Sequence, residues 1–308
     1  MTVDSTAIVP VTGTEGLVKM ADYVGKDGTY EIFGVKTAEG IGPLVQTENW
    51  RLFVARGPTG QIGLMKVNRP DALGYDELEK EVSILQTLQE IGTAIDAETE
   101  GLNKPFHGAN FPVVLETIEP EVGKLVVFLG YHPSITTYRQ LLPVSVALRD
   151  VRVDLQTSVW MLGKLLKTLI FVHDLGFTVG LMDASNVLIE PVVHGVLVLD
   201  LTAANEYPTE DEQLAEVAAA ARLIWNAVGG TDESEPPHDA DIMPVEAHAE
   251  FVSHLRRMME GKTEGARAEH SLIYSPDTGL ADRTWPKVPN SDKSGMKRPF
   301  HEYVTYPR

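Results

Sequence analysis

The chain has 308 residues, 43% of them hydrophobic, which is enough for one large domain or two ordinary domains with a sizeable core. It contains no cysteine, and this excludes disulfides, thiolate zinc sites and cysteine nucleophiles. Its formal net charge of −18 would repel nucleic-acid phosphates, so we expect no nucleic acid among its partners.

The first part of the chain has the pattern of β-structure. Residues 1–45 are rich in Gly, Thr and Val and predict an N-terminal extension or extra strands. Two apolar runs follow at 51–56 and 62–67, and the Gly- and Pro-containing stretch between them predicts a hairpin. Apolar residues at helical spacing then predict a helix over 75–91.

Helices dominate the second part of the chain. After two further strands, predicted over 111–115 and 124–129, a strong amphipathic pattern predicts a helix over 154–175. The remaining predicted elements are strands over 186–189 and 196–199 and helices over 210–228 and 245–260.

Strands that precede helices favour an α+β protein over a βαβ arrangement. We predict an N-terminal extension over 1–45, a small β-rich lobe over 46–130, a larger helical lobe over 131–275 and an irregular tail over 276–308. The two lobes would join near 130–133. Because the tail carries basic and aromatic residues and the rest of the chain is acidic, we expect the tail to pack on the body or on a partner.

Four polar residues follow one another along the chain in an informative order. Lys66 ends one such strand, and Glu81 follows in the next predicted helix. Asn186 opens a later strand, and Asp200 closes the strand after it. Phosphoryl transfer requires a cation at the phosphates, an acid that fixes this cation, and hard oxygen ligands for a divalent metal.

In this order the four residues resemble the protein-kinase-like superfamily, over about residues 45–275. The resemblance implies that Lys66 and Glu81 form an ion pair at the nucleotide and that Asn186 and Asp200 bind the metal. It also implies a bilobal fold with a small β-rich N-lobe and a larger helical C-lobe. The implied cofactors are ATP with Mg²⁺ or Mn²⁺.

Two parts of the family's catalytic pattern are missing. The position of the catalytic aspartate is Leu181, which can neither accept a proton nor orient a hydroxyl. The glycine-rich loop is replaced by a stretch that includes Thr47, Glu48 and Trp50. This bulky, acidic stretch would cradle a triphosphate poorly, since the close backbone approach that glycine permits is lost.

Asp183, two residues after Leu181, leaves several roles open. It could be a displaced catalytic base, a third metal ligand or a charge that repels the γ-phosphate. It could instead form an Asx-type turn with the backbone of Ser185.

These features favour a pseudokinase, a regulatory or binding module with a protein partner and weak or no nucleotide binding. One alternative is an atypical kinase or nucleotidyl transferase that uses ATP and a divalent metal through Asp200, Asn186 and Asp183. Another is a structural protein that reuses the fold. No apolar run approaches the ~20 residues of a membrane span, and no secretion signal is evident, so we expect a cytoplasmic protein without membrane contact.

Overall fold

The computed structural model describes residues 16–37, 40–69, 72–98, 110–130, 142–190, 195–238, 245–275, 279 and 305–307. These residues form a mixed α+β protein, which confirms the predicted fold class. The chain divides into two compact units. Unit 1 comprises Met1–Leu141 and Leu199–Ala203, and unit 2 comprises Leu142–Val198 and Ala204–Arg308.

Unit 1 is built on a large antiparallel sheet with the strand order β1-β2-β5-β6-β8-β7, in which β3 pairs with β2 and β4 pairs with β5. Its elements are β1 (Val18–Val24), β2 (Thr29–Thr37), β3 (Gly40–Gly42), β4 (Val45–Gln46), β5 (Trp50–Arg56), β6 (Ile62–Asn68), α1 (Ala72–Glu98), β7 (Val113–Glu121) and β8 (Lys124–Gly130). The predicted hairpin is confirmed as β5 and β6. The described part of residues 1–45 contributes strands to the same sheet.

The sheet is curled, so that its two outer strands approach each other. Glu116 on β7 accepts hydrogen bonds from the Tyr30 hydroxyl on β2 and from the Lys26 backbone amide. Inside the curl, the rings of Tyr30 and Phe128 lie 4.8 Å apart. The buried cluster on this face consists of Tyr30, Ile32, Phe53, Ala55, Met65, Val67, Ile118, Val126 and Phe128.

The other face of the sheet is covered by α1, which packs on β6, β7 and β8. Leu78, Leu85 and Leu88 are buried on the inner side of this helix, as their helical spacing predicts. The helix extends beyond the predicted 75–91, because a glycine such as Gly92 costs only about 1 kcal/mol inside a helix.

Unit 2 is mostly helical. Its elements are β9 (Leu142–Pro143), α2 (Val144–Ala147), β10 (Val151–Val153), α3 (Leu155–Asp174), β11 (Val187–Glu190), β12 (Gly195–Val198), α4 (Glu210–Ala227), α5 (Val245–Met259), α6 (Ala266–Tyr274) and β13 (Thr305–Pro307). Strand β11 pairs with β12 and β9, and β10 pairs with β13. The short helix α6 was missed by the sequence patterns; it begins after Gly265 without a side-chain cap.

The centre of unit 2 is α3, which packs against α4 and α6. The Asp154 side chain caps its first turn by accepting a hydrogen bond from the Thr157 amide at 2.7 Å. By length and composition this helix could cross a membrane, but most of it is buried inside the fold, as in the core helix of a folded domain. Helix α4 begins with a capping box formed by Thr209 and Glu212.

Of the predicted tail, the structure describes Gly279 and Thr305–Pro307. For Thr305–Pro307 the expected packing is confirmed and the expected irregular conformation is wrong. Thr305–Pro307 form a strand paired with β10, so this part of the predicted irregular tail packs on unit 2 as regular structure. Residues 280–304 lie outside the described residues, as does the predicted connection at 131–133. The bilobal arrangement stays a prediction.

Candidate functional site

Lys66 lies on the face of β6 that α1 covers, while its neighbours Met65 and Val67 point into the curled sheet. Its ammonium Nζ is 2.6 Å from Glu81 Oε2 and 2.7 Å from Asp200 Oδ1. The side chain is only 1% exposed. The predicted ion pair between Lys66 and Glu81 is therefore confirmed, and Asp200 joins it.

The two carboxylates also hold the backbone next to Asp200. Glu81 Oε1 accepts a hydrogen bond from the Leu201 amide at 2.8 Å. Asp200 Oδ1 accepts from the Thr202 amide at 3.1 Å and from the Thr202 hydroxyl at 2.8 Å. The segment Leu199–Ala203 is thereby attached to Lys66 on β6 and to Glu81 on α1, although Asp200 follows Lys66 by 134 residues and Leu201 follows Glu81 by 120.

Burial and charge act in opposite directions on this cluster. Burial raises the pKa of Glu81 to about 7, because desolvation and the charge of Asp200 outweigh the attraction of Lys66. Burial also disfavours the charged forms of Asp200 and Lys66. Their ion pair and hydrogen bonds prevail, however, so the pKa of Asp200 is lowered and that of Lys66 is raised. Glu81 is thus the carboxylate that takes up a proton first.

The remaining approach to the lysine is covered by Trp50. Because Leu52 pairs with Lys66 across β5 and β6, Trp50, two residues before Leu52, lies on the same face. The Lys66 Nζ lies 4.0 Å from the Trp50 ring centroid, within cation–π distance. The indole is buried, with 4% of its residue surface exposed. The sequence patterns placed Trp50 at the missing glycine-rich loop and did not predict its contact with Lys66; the strand register was the signal for this contact.

The turn before Trp50 is fixed in place. Thr47 Oγ1 accepts hydrogen bonds from the amides of Asn49 and Trp50 at 3.2 and 3.0 Å. Asn49 Nδ2 donates to Glu77 Oε2 on α1 at 2.5 Å. The turn that carries the indole is therefore stabilised by hydrogen bonds within the turn and by one hydrogen bond to α1.

In unit 2, the loop 181–186, which contains the position of the family's catalytic aspartate, is held by hydrogen bonds of its own side chains. Asp183 Oδ1 accepts hydrogen bonds from the Ser185 amide at 2.8 Å, the Ser185 hydroxyl at 2.6 Å and the Asn186 amide at 3.0 Å. Asn186 Nδ2 donates to the Leu181 carbonyl at 2.6 Å. The Leu181 side chain is exposed. The Asx-type turn that the sequence allowed for Asp183 is present.

A further residue, Glu216 on α4, supports this loop and was missed by sequence reasoning. One of its carboxylate oxygens accepts a hydrogen bond from the Gly180 amide at 2.5 Å, and the other lies 2.8 Å from His173 Nε2. Both side chains are largely buried. A glutamate next to Val217, on the buried side of an amphipathic helix, was the available signal.

The predicted metal ligands belong to different units, Asn186 to unit 2 and Asp200 to unit 1. Their joint role at a metal stays a prediction. Among the residues that the structure describes, no group of three or more His, Cys, Asp or Glu side chains could hold a metal ion.

Comparisons with known proteins do not place the chain in a family. A scan of protein-family models gives no match, and no curated protein matches the chain. The resemblance to the protein-kinase-like superfamily therefore rests on the residues described above.

Proposed function

We propose that the protein is a pseudokinase of the protein-kinase-like superfamily, with the bilobal arrangement that this implies. It would act as a regulatory or binding module for a protein partner, with weak or no nucleotide binding and no phosphoryl transfer. The main support is the closed environment of Lys66, which has the ion-pair partner expected in this family but no surface left for a ligand.

A phosphate can use a lysine only if it can reach the ammonium group. Here Lys66 contacts two carboxylates of the same chain and the face of Trp50, and its side chain is almost completely buried. Nucleotide binding would require Trp50 and its turn to move, and would replace at least one charge-assisted hydrogen bond.

The carboxylate of Asp200 is also a poor fit for a metal as it stands. Its Oδ1 already accepts three hydrogen bonds, from Lys66 and from the amide and hydroxyl of Thr202. Mg²⁺ demands near-ideal octahedral geometry and would lie next to the Lys66 ammonium, which repels it. As arranged, these residues do not fit a metal–ATP complex.

The loop of unit 2 supports the same proposal. Leu181 offers no group that can accept a proton. The Oδ1 atom of Asp183 is occupied by three donors of its own turn, which argues for a structural role. Neither residue replaces the missing general base.

A thermal-shift titration with ATP, alone and with Mg²⁺ or Mn²⁺, tests the proposal. ATP at tenfold its Kd would stabilise the native state by about 1.4 kcal/mol, or roughly 2 to 4 °C in Tm. We expect no concentration-dependent rise for the intact chain. Trp50→Ala opens the approach to Lys66, and Trp225→Ala is the matched control, because Trp225 is equally buried and also faces a cation, Arg256.

The alternative of an atypical kinase or nucleotidyl transferase is favoured by one observation. Lys66, Glu81 and Asp200 are already assembled, so movement of Trp50 and its turn could open a phosphate site. ATP turnover by the intact chain that is lost in Asp200→Ala would establish this alternative and refute the pseudokinase proposal. If ATP raises the Tm of the Trp50→Ala variant alone and no ATP turnover is seen, Trp50 is the residue that blocks nucleotide binding.

A further inference from the structure

The C-terminal strand β13 occupies the edge of β10 in unit 2. The two strands are antiparallel, with Val151 opposite Pro307, Arg152 opposite Tyr306 and Val153 opposite Thr305. Strand β10 leads directly into α3, the core helix of the unit. The end of the chain is thus bound to an element whose position is set by the core.

Arg152 contacts an aromatic ring across this edge. Its guanidinium carbon lies 4.7 Å from the centroid of the Tyr306 ring. The stem of Arg152 also lies close to Gly229, just beyond the C-terminus of α4, where a Cβ would come within 2.7 Å of Arg152 Cδ. Gly229 also has a φ of +92°, which favours glycine. The lack of a side chain at Gly229 therefore leaves room for the stem of Arg152, whose guanidinium group lies over the Tyr306 ring.

The contact made by β13 is small. The strand has three residues; Thr305 and Pro307 are exposed and Tyr306 is half-buried. Pro307 has no amide hydrogen to donate to the ladder. Thirty residues, 275–304, separate it from α6. The described contact that would have to be released from β10 is therefore this three-residue pairing.

We propose that β10 is a docking edge for an extended segment of a partner protein that places an aromatic side chain over Arg152. The chain's own C-terminal strand occupies this edge when the partner is absent. Strand addition supplies the backbone hydrogen bonds, and the aromatic contact with Arg152 supplies the selectivity. Because Thr305–Pro307 belong to the same chain as β10, their effective concentration at this edge is high, and a partner must compete with them. This inference is independent of nucleotide binding by unit 1.

The probe is a fluorescein-labelled synthetic peptide with the sequence of residues 302–308, EYVTYPR. We expect it to bind the full-length Tyr306→Ala variant saturably in fluorescence anisotropy, and at least about tenfold more tightly than the intact chain, because the competing strand is weakened. Adding Arg152→Ala should reduce binding about fivefold or more. Arg256→Ala in the same background is the matched control, since Arg256 stacks on Trp225 instead; it should leave binding unchanged.

Hydrogen exchange on the intact chain tests the proposal without any substitution. Saturating unlabelled peptide should speed exchange at the amides of Thr305 and Tyr306, while exchange in Val151–Val153 should not rise. No change at Thr305 and Tyr306, or peptide binding that is equal with and without Arg152, would overturn the proposal and leave β13 as a fixed structural strand. A dimer of the intact chain that forms with increasing concentration and is dissolved by the peptide would identify the occupant as a second copy, and would overturn the assignment to a partner protein.

Discussion

Replacement of Lys66 by methionine should be among the most destabilising single changes in unit 1. Methionine retains most of the apolar stem but removes the ammonium that lies 2.6 Å from Glu81 and 2.7 Å from Asp200. Two buried carboxylates then face each other without a counter-charge. Removing one partner of a buried ion pair costs about 3–5 kcal/mol, because the remaining charge is left uncompensated.

The loss of stability caused by Lys66→Met should be smaller at lower pH. The pKa of Glu81 is already raised to about 7, and loss of Lys66 raises it further. When the pKa of a carboxylate is raised in the native state, the protein loses stability as the pH rises through that pKa. Protonation of Glu81 relieves the repulsion at lower pH, so we expect the cost of Lys66→Met to fall by about 1–2 kcal/mol between pH 8 and pH 5.5.

Urea unfolding at the two pH values, followed by circular dichroism, measures this difference. Lys19→Met is the matched control, because Lys19 also contacts two carboxylates, Asp22 and Glu31, each at 2.8 Å, but is exposed. Its urea midpoint should barely change, since exposed ion pairs contribute little. A loss for Lys66→Met that is as small as the control's, or that is the same at both pH values, would refute the buried three-residue cluster.

Three further predictions concern unit 2. Burial, with Lys167 and Arg267 nearby, lowers the pKa of His270 to about 4 from an ordinary value of 6.5, so the protein loses stability as the pH falls between these values. His270→Phe should keep the stack on Tyr274. In urea titrations it should reduce the loss of unfolding free energy between pH 7.5 and 4.5 by about 1 kcal/mol. Asp154→Ala removes the cap of α3 and should lower the free energy of unfolding by about 1–2 kcal/mol; a change below ~0.3 kcal/mol would contradict the capping role. Gly229→Ala places a Cβ against Arg152 in a backbone conformation that disfavours it and should cost about 1–3 kcal/mol; an unchanged thermal midpoint would contradict both the left-handed conformation of Gly229 and the position of Arg152.

Local patterns were sufficient for most of the secondary structure and for the α+β class. The predicted hairpin and the helix over 154–175 were set by periodic apolar residues and by end signals such as Asp154 and Gly57–Gly60, which act within a few residues. The ion pair of Lys66 with Glu81 was predicted from the resemblance to the protein-kinase-like superfamily, which rests on their order along the chain, on a strand and on the next helix.

Other contacts depend on residues far apart in the chain, and only the tertiary structure decided them. The cover of Trp50 over Lys66 follows from the pairing register of β5 with β6, and the third member of the cluster, Asp200, arrives from more than a hundred residues away. The support of Gly180 by Glu216 and the pairing of the C-terminal strand with β10 are likewise set by how helices and strands pack. The sequence by itself determined which polar groups are present and which elements carry them. The tertiary structure decided that the lysine is enclosed by its own chain, because enclosure depends on which distant side chains pack around it, and local spacing does not specify that.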